Sequence, residues 1–199
     1  MPQPQKNNNK DRDLSASVRQ YFRELEYPSL GDNLLFWSVI VIGVTLDLWS
    51  KYTVFKWLSS LPYPHEYQVI DGVFKLVMRV NPGAAFSIAS GHRWPLLTIS
   101  ILALFIVIGI FIFGNVRHKL MKFALALFTA GIIGNLYDRA FNNGLVRDFL
   151  DFYIADHHWP AFNIADSMLC ISVGLIVICN LEHSDDNKES SPDKQNSSK

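Results

Sequence analysis

The sequence predicts an all-α integral membrane protein, a four-transmembrane-helix bundle carrying a small β-containing segment on its outer side. Three observations predict it. Hydrophobic residues make up 49% of the 199-residue chain and the formal net charge is zero, which gives no reason to expect nucleic acid or an acidic partner. The charges nonetheless crowd into residues 1–33 and 182–199. Between them, four stretches reach or approach the roughly 20 apolar residues that a helix needs to cross a bilayer core. One shorter stretch alternates with the period of a strand.

The second span is the plainest, since Trp94 to Val116 contains no charged residue. The first, Leu34 to Leu58, opens on "LLFWSVIVIGVTL" and then admits Asp47, Lys51 and Lys56. The third, 120–138, is interrupted by Lys122 near its start, and the fourth, Trp159 to Leu181, contains only Asp166. Unpaired backbone groups are costly in hydrocarbon, so each is expected to be a helix. The polar residues 1–33 ahead of the first span, with no small-residue cleavage pattern after it, argue against a removed secretory signal.

Short loops rich in Lys and Arg stay on the cytoplasmic side. "GNVRHKLMK", between the second and third spans, carries Arg117, Lys119 and Lys122 and no acid. Both termini are therefore expected inside, with 59–93 and 139–158 outside. The tail 1–33 opens on "PQPQKNNNKDRD", expected to be disordered. After it, Leu14, Val18, Phe22 and Leu25 fall near helical spacing, fitting either a short amphipathic helix on the membrane surface or a solvated, partly ordered tail. Residues 182–199 are expected to be disordered. In the outer segment 59–93, Phe74, Leu76, Met78 and Val80 alternate as a strand does before Pro82 and Gly83 break the pattern. Cys170 and Cys179 point to opposite sides of a helix at about 100° per residue, so packing is their expected role, not a disulfide or a shared metal site.

Ionisable groups within or at the edge of a span default to pairing or function. Asp47 and Lys51 are four apart on one helical face, where they neutralise each other. Asp138 and Arg139 close the third span in "GNLYDR", where an acid and a base also serve as an anchor. Asp148, in "LVRDFLDFY", and Asp166 are harder to explain as packing. With the orientation above both lie at the outer boundary, as do Asn81, Asn135, Arg139 and Asn163. Asp47 lies about 20 Å along the first span, in its outer half. Two carboxylates that meet there share one proton, so one serves as base toward water while the other, protonated, polarises a carbonyl. This hydrolyses a peptide with neither metal nor cofactor.

Other hydrolytic chemistries lack their parts. "HEYQV", from His65, has no second histidine for a zinc protease helix. There is no G-x-S-x-G elbow and no phosphate-cradling glycine loop. His157 and His158 are adjacent in an expected loop and are assigned to exposed polar surface.

The series "DLWSK" (47–51), "NPGAAF" (81–86), "GNLYDR" (134–139), "VRDF" (146–149) and "PAFNIADS" (160–167) closely resembles the lipoprotein signal peptidases, also called signal peptidase II. The motifs occur in the family's order and span the whole membrane region. The resemblance implies a multi-pass aspartyl protease of the bacterial cytoplasmic (inner) membrane, with its β-containing segment and active site periplasmic. Such enzymes remove the signal peptide of a prolipoprotein immediately before its diacylglyceryl-modified cysteine. The family's catalytic aspartates fall on Asp148 and Asp166, and its substrate-contacting residues on Asn81, Asn135, Arg139 and Asn163. Asp138 is expected to hold the local fold, and Asp47 and Lys51 to support it. Gly83 and the two alanines after it would let the chain pass close to substrate. The implied partners are the prolipoprotein and membrane phospholipids, and a monomer is expected.

Two departures stand out. "AFNN" places four residues between Arg139 and Gly144 where the family commonly has three, so a one-residue bulge is expected. Arg147 occupies a position often apolar in relatives, and its charge is expected to lower the pKa of Asp148 or to touch headgroups. Two other classes of function remain: a small proton-coupled transporter, which would distribute its acids through the bilayer depth, and an inactive homologue with a binding role.

Overall fold

A computed structural model describes residues 16, 17, 20, 25–83 and 93–189. The expected N-terminal disorder, the amphipathic pattern apart from Leu25, Ala84, Ala85 and the chain beyond Glu189 lie outside the described residues.

Four helices, α1 (Leu30–Leu58), α2 (Arg93–Phe113), α3 (Lys119–Phe141) and α4 (Ile164–Glu189), are long and apolar enough to cross a membrane. The start of α1 is set by a capping box. Ser29 Oγ accepts from Asp32 N at 3.2 Å while the Asp32 carboxylate accepts from Ser29 N at 3.1 Å, which satisfies two amides that the first turn leaves unpaired. Asp32 also pairs with Lys122 of α3 at 2.7 Å.

The helix limits depart from the expected spans in all four helices: α1 starts earlier, at Leu30 and not Leu34, and α2 ends at Phe113, short of Val116. α3 continues through Arg139 to Phe141. α4 starts at Ile164, five residues after Trp159, because Asn163 caps it. At its other end α4 runs to Glu189, into the expected disordered tail, since no proline or glycine interrupts 182–189.

α3 is the central helix and packs most extensively on α4 and α1. Its buried face is built from small residues, Ala124, Ala126, Ala130, Gly131 and Gly134, which let neighbouring backbones approach closely. A Cβ on Gly131 would stand 2.7 Å from the Ala165 carbonyl oxygen of α4. Away from the site, Phe36 of α1 stacks flat on Phe111 of α2, centroids 3.8 Å apart, in a core completed by Val107, Leu125, Ala126 and Ile132. Cys170 is exposed, Cys179 is buried and neither forms a disulfide.

An antiparallel sheet in the order β1-β2-β3-β4 completes the fold: β1 (Glu66–Ile70), β2 (Phe74–Asn81), β3 (Val146–Ile154) and β4 (His157–His158). Alternation in the sequence points to β2. The segment "VRDFLDFYI" carries no such pattern, because β3 buries Val146, Asp148, Phe149 and Asp151 on both of its faces. β2 and β3 pair Phe74 with Phe152 and Leu76 with Leu150. An irregularity then resets the register to Arg79 with Asp148 and Asn81 with Val146. The Phe74 and Phe152 rings stack at 4.6 Å, and Phe152 stacks on Phe162 at 5.9 Å. Backbone hydrogen bonds between Leu150 and Phe162 tie the sheet to the start of α4. His158 is more than exposed polar surface, since its Nδ1 lies 3.0 Å from the buried Asp151 carboxylate.

The long connection after Arg139 is absorbed in two ways. Ala140 and Phe141 complete α3, and Asn143 (φ 51°) and Gly144 (φ 86°) make the turn. At Gly144 the left-handed backbone coincides with close contact from the Arg93 side chain. Gly144→Ala is therefore expected to destabilise the protein by about 1–3 kcal/mol, read as a lower thermal midpoint in detergent.

Candidate active site

Five elements converge at the ends of α3 and α4. β3 supplies Asp148, and the start of α4 supplies Asn163 and Asp166. The last turns of α3 supply Asn135, Asp138 and Arg139, which share one face at i, i+3 and i+4. α1 supplies Asp47 and Lys51, and the end of β2 supplies Asn81 with Gly83 just after it.

The start of α4 explains why an apolar helix opens on an acid. Asn163 Oδ1 accepts from Asp166 N at 3.0 Å, and Asp166 Oδ2 accepts from Asn163 N at 3.2 Å. This reciprocal arrangement is an asparagine–aspartate version of the capping box. It fixes both side chains on the sheet-facing side of the turn, where a helix N-terminus favours negative charge.

Asn163 joins the two halves of the site. Its Nδ2 donates to Asp148 Oδ1 at 2.7 Å, with Asn135 Oδ1 at 3.2 Å and the Arg147 carbonyl at 3.3 Å also within reach. Asn135 Nδ2 in turn donates to Asp166 Oδ1 at 2.8 Å. Asn163 thus contacts both acids, Asp148 through its side-chain amide and Asp166 through its backbone N. Asp148 is 3% exposed. Burial first, and the neighbouring charge of Asp166 second, push its carboxyl from an ordinary 3.8 up to about 7, against hydrogen bonds from Asn163 and Asn81 that favour the charged form.

Arg139 bridges toward the outer segment. Its Nη2 donates to the Gly83 carbonyl at 3.0 Å, while Gly83 N donates to Asn81 Oδ1 at 2.9 Å. The Nε of Arg139 is buried and has no hydrogen-bond partner among the described residues.

Behind these residues lies a buried ion cluster. Lys51 Nζ is 2.7 Å from Asp47 Oδ2, 3.1 Å from Asn135 Oδ1 and 3.4 Å from Asp138 Oδ2. Asp47 and Lys51 are both fully buried. Asp47 Oδ1 accepts from Ala165 N at 2.9 Å, which pins the first turn of α4 to α1. Arg147 does not face Asp148, nor does Asp148 ionise more readily as expected. Arg147 instead turns to Asp138, with Nη2 to Oδ1 at 2.6 Å and its backbone N to Oδ2 at 3.0 Å. The sequence signal for that partner was the turn at Asn143 and Gly144, which folds β3 back beside α3.

Asn81, Gly83, Asn135, Arg139, Asp148, Asn163 and Asp166 therefore meet in one place, with Asp47, Lys51 and Asp138 directly behind. Two carboxyls beside a buried guanidinium are equipped for acid–base hydrolysis of an amide.

Residues 39–182 match the family described as signal peptidase (SPase) II. The chain is 39% identical over 150 residues to the lipoprotein signal peptidase of Sulfurihydrogenibium sp. (strain YO3AOP1), covering 72% of this chain and 89% of the relative. It is 35% identical over 157 residues to that of Francisella tularensis subsp. novicida (strain U112), covering 76% and 94%. A bacterial membrane enzyme structure obtained by the in meso method at 2.3 Å resolution superposes with a TM-score of 0.68 at 31% identity, over 88% of this chain and 99% of that one. With its four membrane-length helices and this degree of similarity, the chain belongs to the signal peptidase II family and is a membrane peptidase.

Proposed function

We propose that the protein is an aspartyl endopeptidase that cleaves the signal peptide from diacylglyceryl-modified prolipoproteins immediately before the lipidated cysteine. The observation that carries this reading is that Asn163 holds both Asp148 and Asp166, with Asp148 titrating near neutrality. Asp166, which accepts from Asn135 and from the helix start, is the base, and Asp148 carries the shared proton.

Asp166 takes a proton from water as the oxygen attacks the scissile carbonyl carbon, and Asp148 gives its proton to the carbonyl oxygen. When the tetrahedral gem-diol intermediate collapses, the C–N bond breaks, Asp166 returns its proton to the leaving nitrogen, and one hydroxyl gives its proton back to Asp148 as the new C=O forms. The guanidinium of Arg139, whose Nε has no partner among the described residues, would hold a substrate carbonyl. Asn81 and Gly83 would line the approach of an unwound substrate segment.

The loop 114–118 lies between α2 and α3, and its Arg117 together with Lys119 and Lys122 favours a cytoplasmic position. That puts both termini inside and the site at the periplasmic face, where water reaches a substrate whose lipid stays in the bilayer. We take the working unit to be a monomer.

The test is cleavage of a purified diacylglyceryl-modified precursor by the purified protein, read by mass of the released fragments. Cleavage at any bond other than the one before the lipidated cysteine refutes the specificity, and no cleavage refutes the activity. The pH profile gives a second check. Loss of the proton from Asp148 leaves two negative carboxylates and no acid, so kcat/KM is expected to fall as pH rises through about 7.

A further inference from the structure

We propose that Lys51 is a positioning residue for the paired carboxylates, acting through Asn135 to aim that amide's hydrogens at Asp166. The proposal rests on Asp148 and Asp166 being the reacting pair.

An ammonium has three hydrogens and no acceptor. Lys51 donates to Asp47 Oδ2 and Asn135 Oδ1 and stands 3.4 Å from Asp138 Oδ2 as an ion pair. Asn135 consequently cannot turn its NH2 toward Lys51 without setting donor against donor in a fully buried position. The amide is locked with oxygen toward Lys51 and nitrogen toward Asp166 Oδ1 at 2.8 Å. Asn163 Nδ2 also reaches Asn135 Oδ1, but it shares two hydrogens among three acceptors. Lys51 is the undivided donor, and its charge polarises the amide so that the bond to Asp166 is strengthened.

A purely structural role for Lys51 makes a different prediction. Asp47, Lys51, Asp138 and Arg147 sum to zero charge, and α1 needs only to keep that balance. Asp47→Asn with Lys51→Met removes one charge of each sign at nearly constant volume. The amide oxygen at position 47 still accepts from Ala165 N, and Asp138 keeps Arg147.

The experiment compares three purified proteins on the lipidated precursor: wild type, D47N/K51M and D47N/K51Q. Positioning predicts that D47N/K51M folds, keeps KM within about threefold, and loses about 10- to 100-fold in kcat, the size expected for one hydrogen bond from a charged donor. D47N/K51Q, which restores a neutral donor toward Asn135, is expected to recover most of that kcat. Wild-type kcat in D47N/K51M, equal losses in the Met and Gln variants, or failure of D47N/K51M to fold each overturns the proposal. Asp148→Asn and Asp166→Asn are assayed alongside. If either retains turnover, the reading of the reacting pair fails; if both are inactive while D47N/K51M is fully active, only the role of Lys51 fails.

Discussion

Asp148→Asn is expected to lower cleavage of a lipidated precursor by roughly 10⁴-fold or more, the scale on which removal of one member of a concerted catalytic unit acts, and at the same time to stabilise the folded protein at alkaline pH. The two effects have one cause. The amide oxygen left at this position still accepts from Asn163, so the site keeps its shape, but no proton can be passed to a carbonyl. The unfolded chain ionises this carboxyl near 3.8 and the folded chain near 7, so between those values the folded state holds a proton that the unfolded state has lost. Stability conferred by Asp148 is fully present below 3.8, declines as pH rises through that window, and is gone above about 7. The amide has no such penalty. At pH 8 the variant should gain up to about 4 kcal/mol over wild type, and at pH 4 nothing. Thermal midpoints in detergent at the two pH values check this. A variant no more stable at pH 8 than at pH 4, relative to wild type, would show that Asp148 ionises without penalty. Asp166→Asn should abolish cleavage too. It also replaces the carboxylate that accepts from Asn163 N and Asn135 Nδ2, so no stabilisation accompanies the loss.

The second large effect belongs to Asp138. Asp138→Ala removes the partner of Arg147, an ion partner of Lys51 and the acceptor of the Arg147 backbone amide in a single change. Breaking a buried ion pair from one side leaves a charge without compensation and typically costs about 3–5 kcal/mol. Here Arg147 loses its ion partner, and the fully buried Lys51 keeps only Asp47 as a counter-charge. Expression in the membrane and the thermal midpoint should both fall, and activity with them, because β3 loses its attachment to α3. Asp138→Asn keeps an acceptor while removing the charge, so its loss should be visibly smaller. Equal losses in the two variants would mean that packing, not ion pairing, makes Asp138 important.

Much of this architecture is legible in the amino-acid pattern, for reasons that differ by element. α2 is uncharged throughout and needs no partner to be recognised. α1 carries Asp47 and Lys51 inside an apolar helix, which is tolerable because they meet at i, i+4 and arrive as a pair. The limits of α4 are harder, because hydropathy does not register a cap. The Asn163–Asp166 box sets the start at Ile164, and "NxxD" within an apolar run was the available signal. Strand β3 is hidden because it puts Asp148 and Asp151 inside and apolar Phe152 and Ile154 outside, the reverse of ordinary alternation. That the polar residues gather at one end of the helices follows from their positions along the spans. Which of them touch does not, since Arg147 meets Asp138 only through the turn at Asn143 and Gly144.

One acid of the pair is carried by a strand and the other by a helix, and the two supports are joined through Asn163, the backbone bonds of Phe149 and Leu150 to Phe162, and the Phe152–Phe162 stack. The spacing of the two carboxyls is therefore set by how the sheet seats on the helices and by neither support alone.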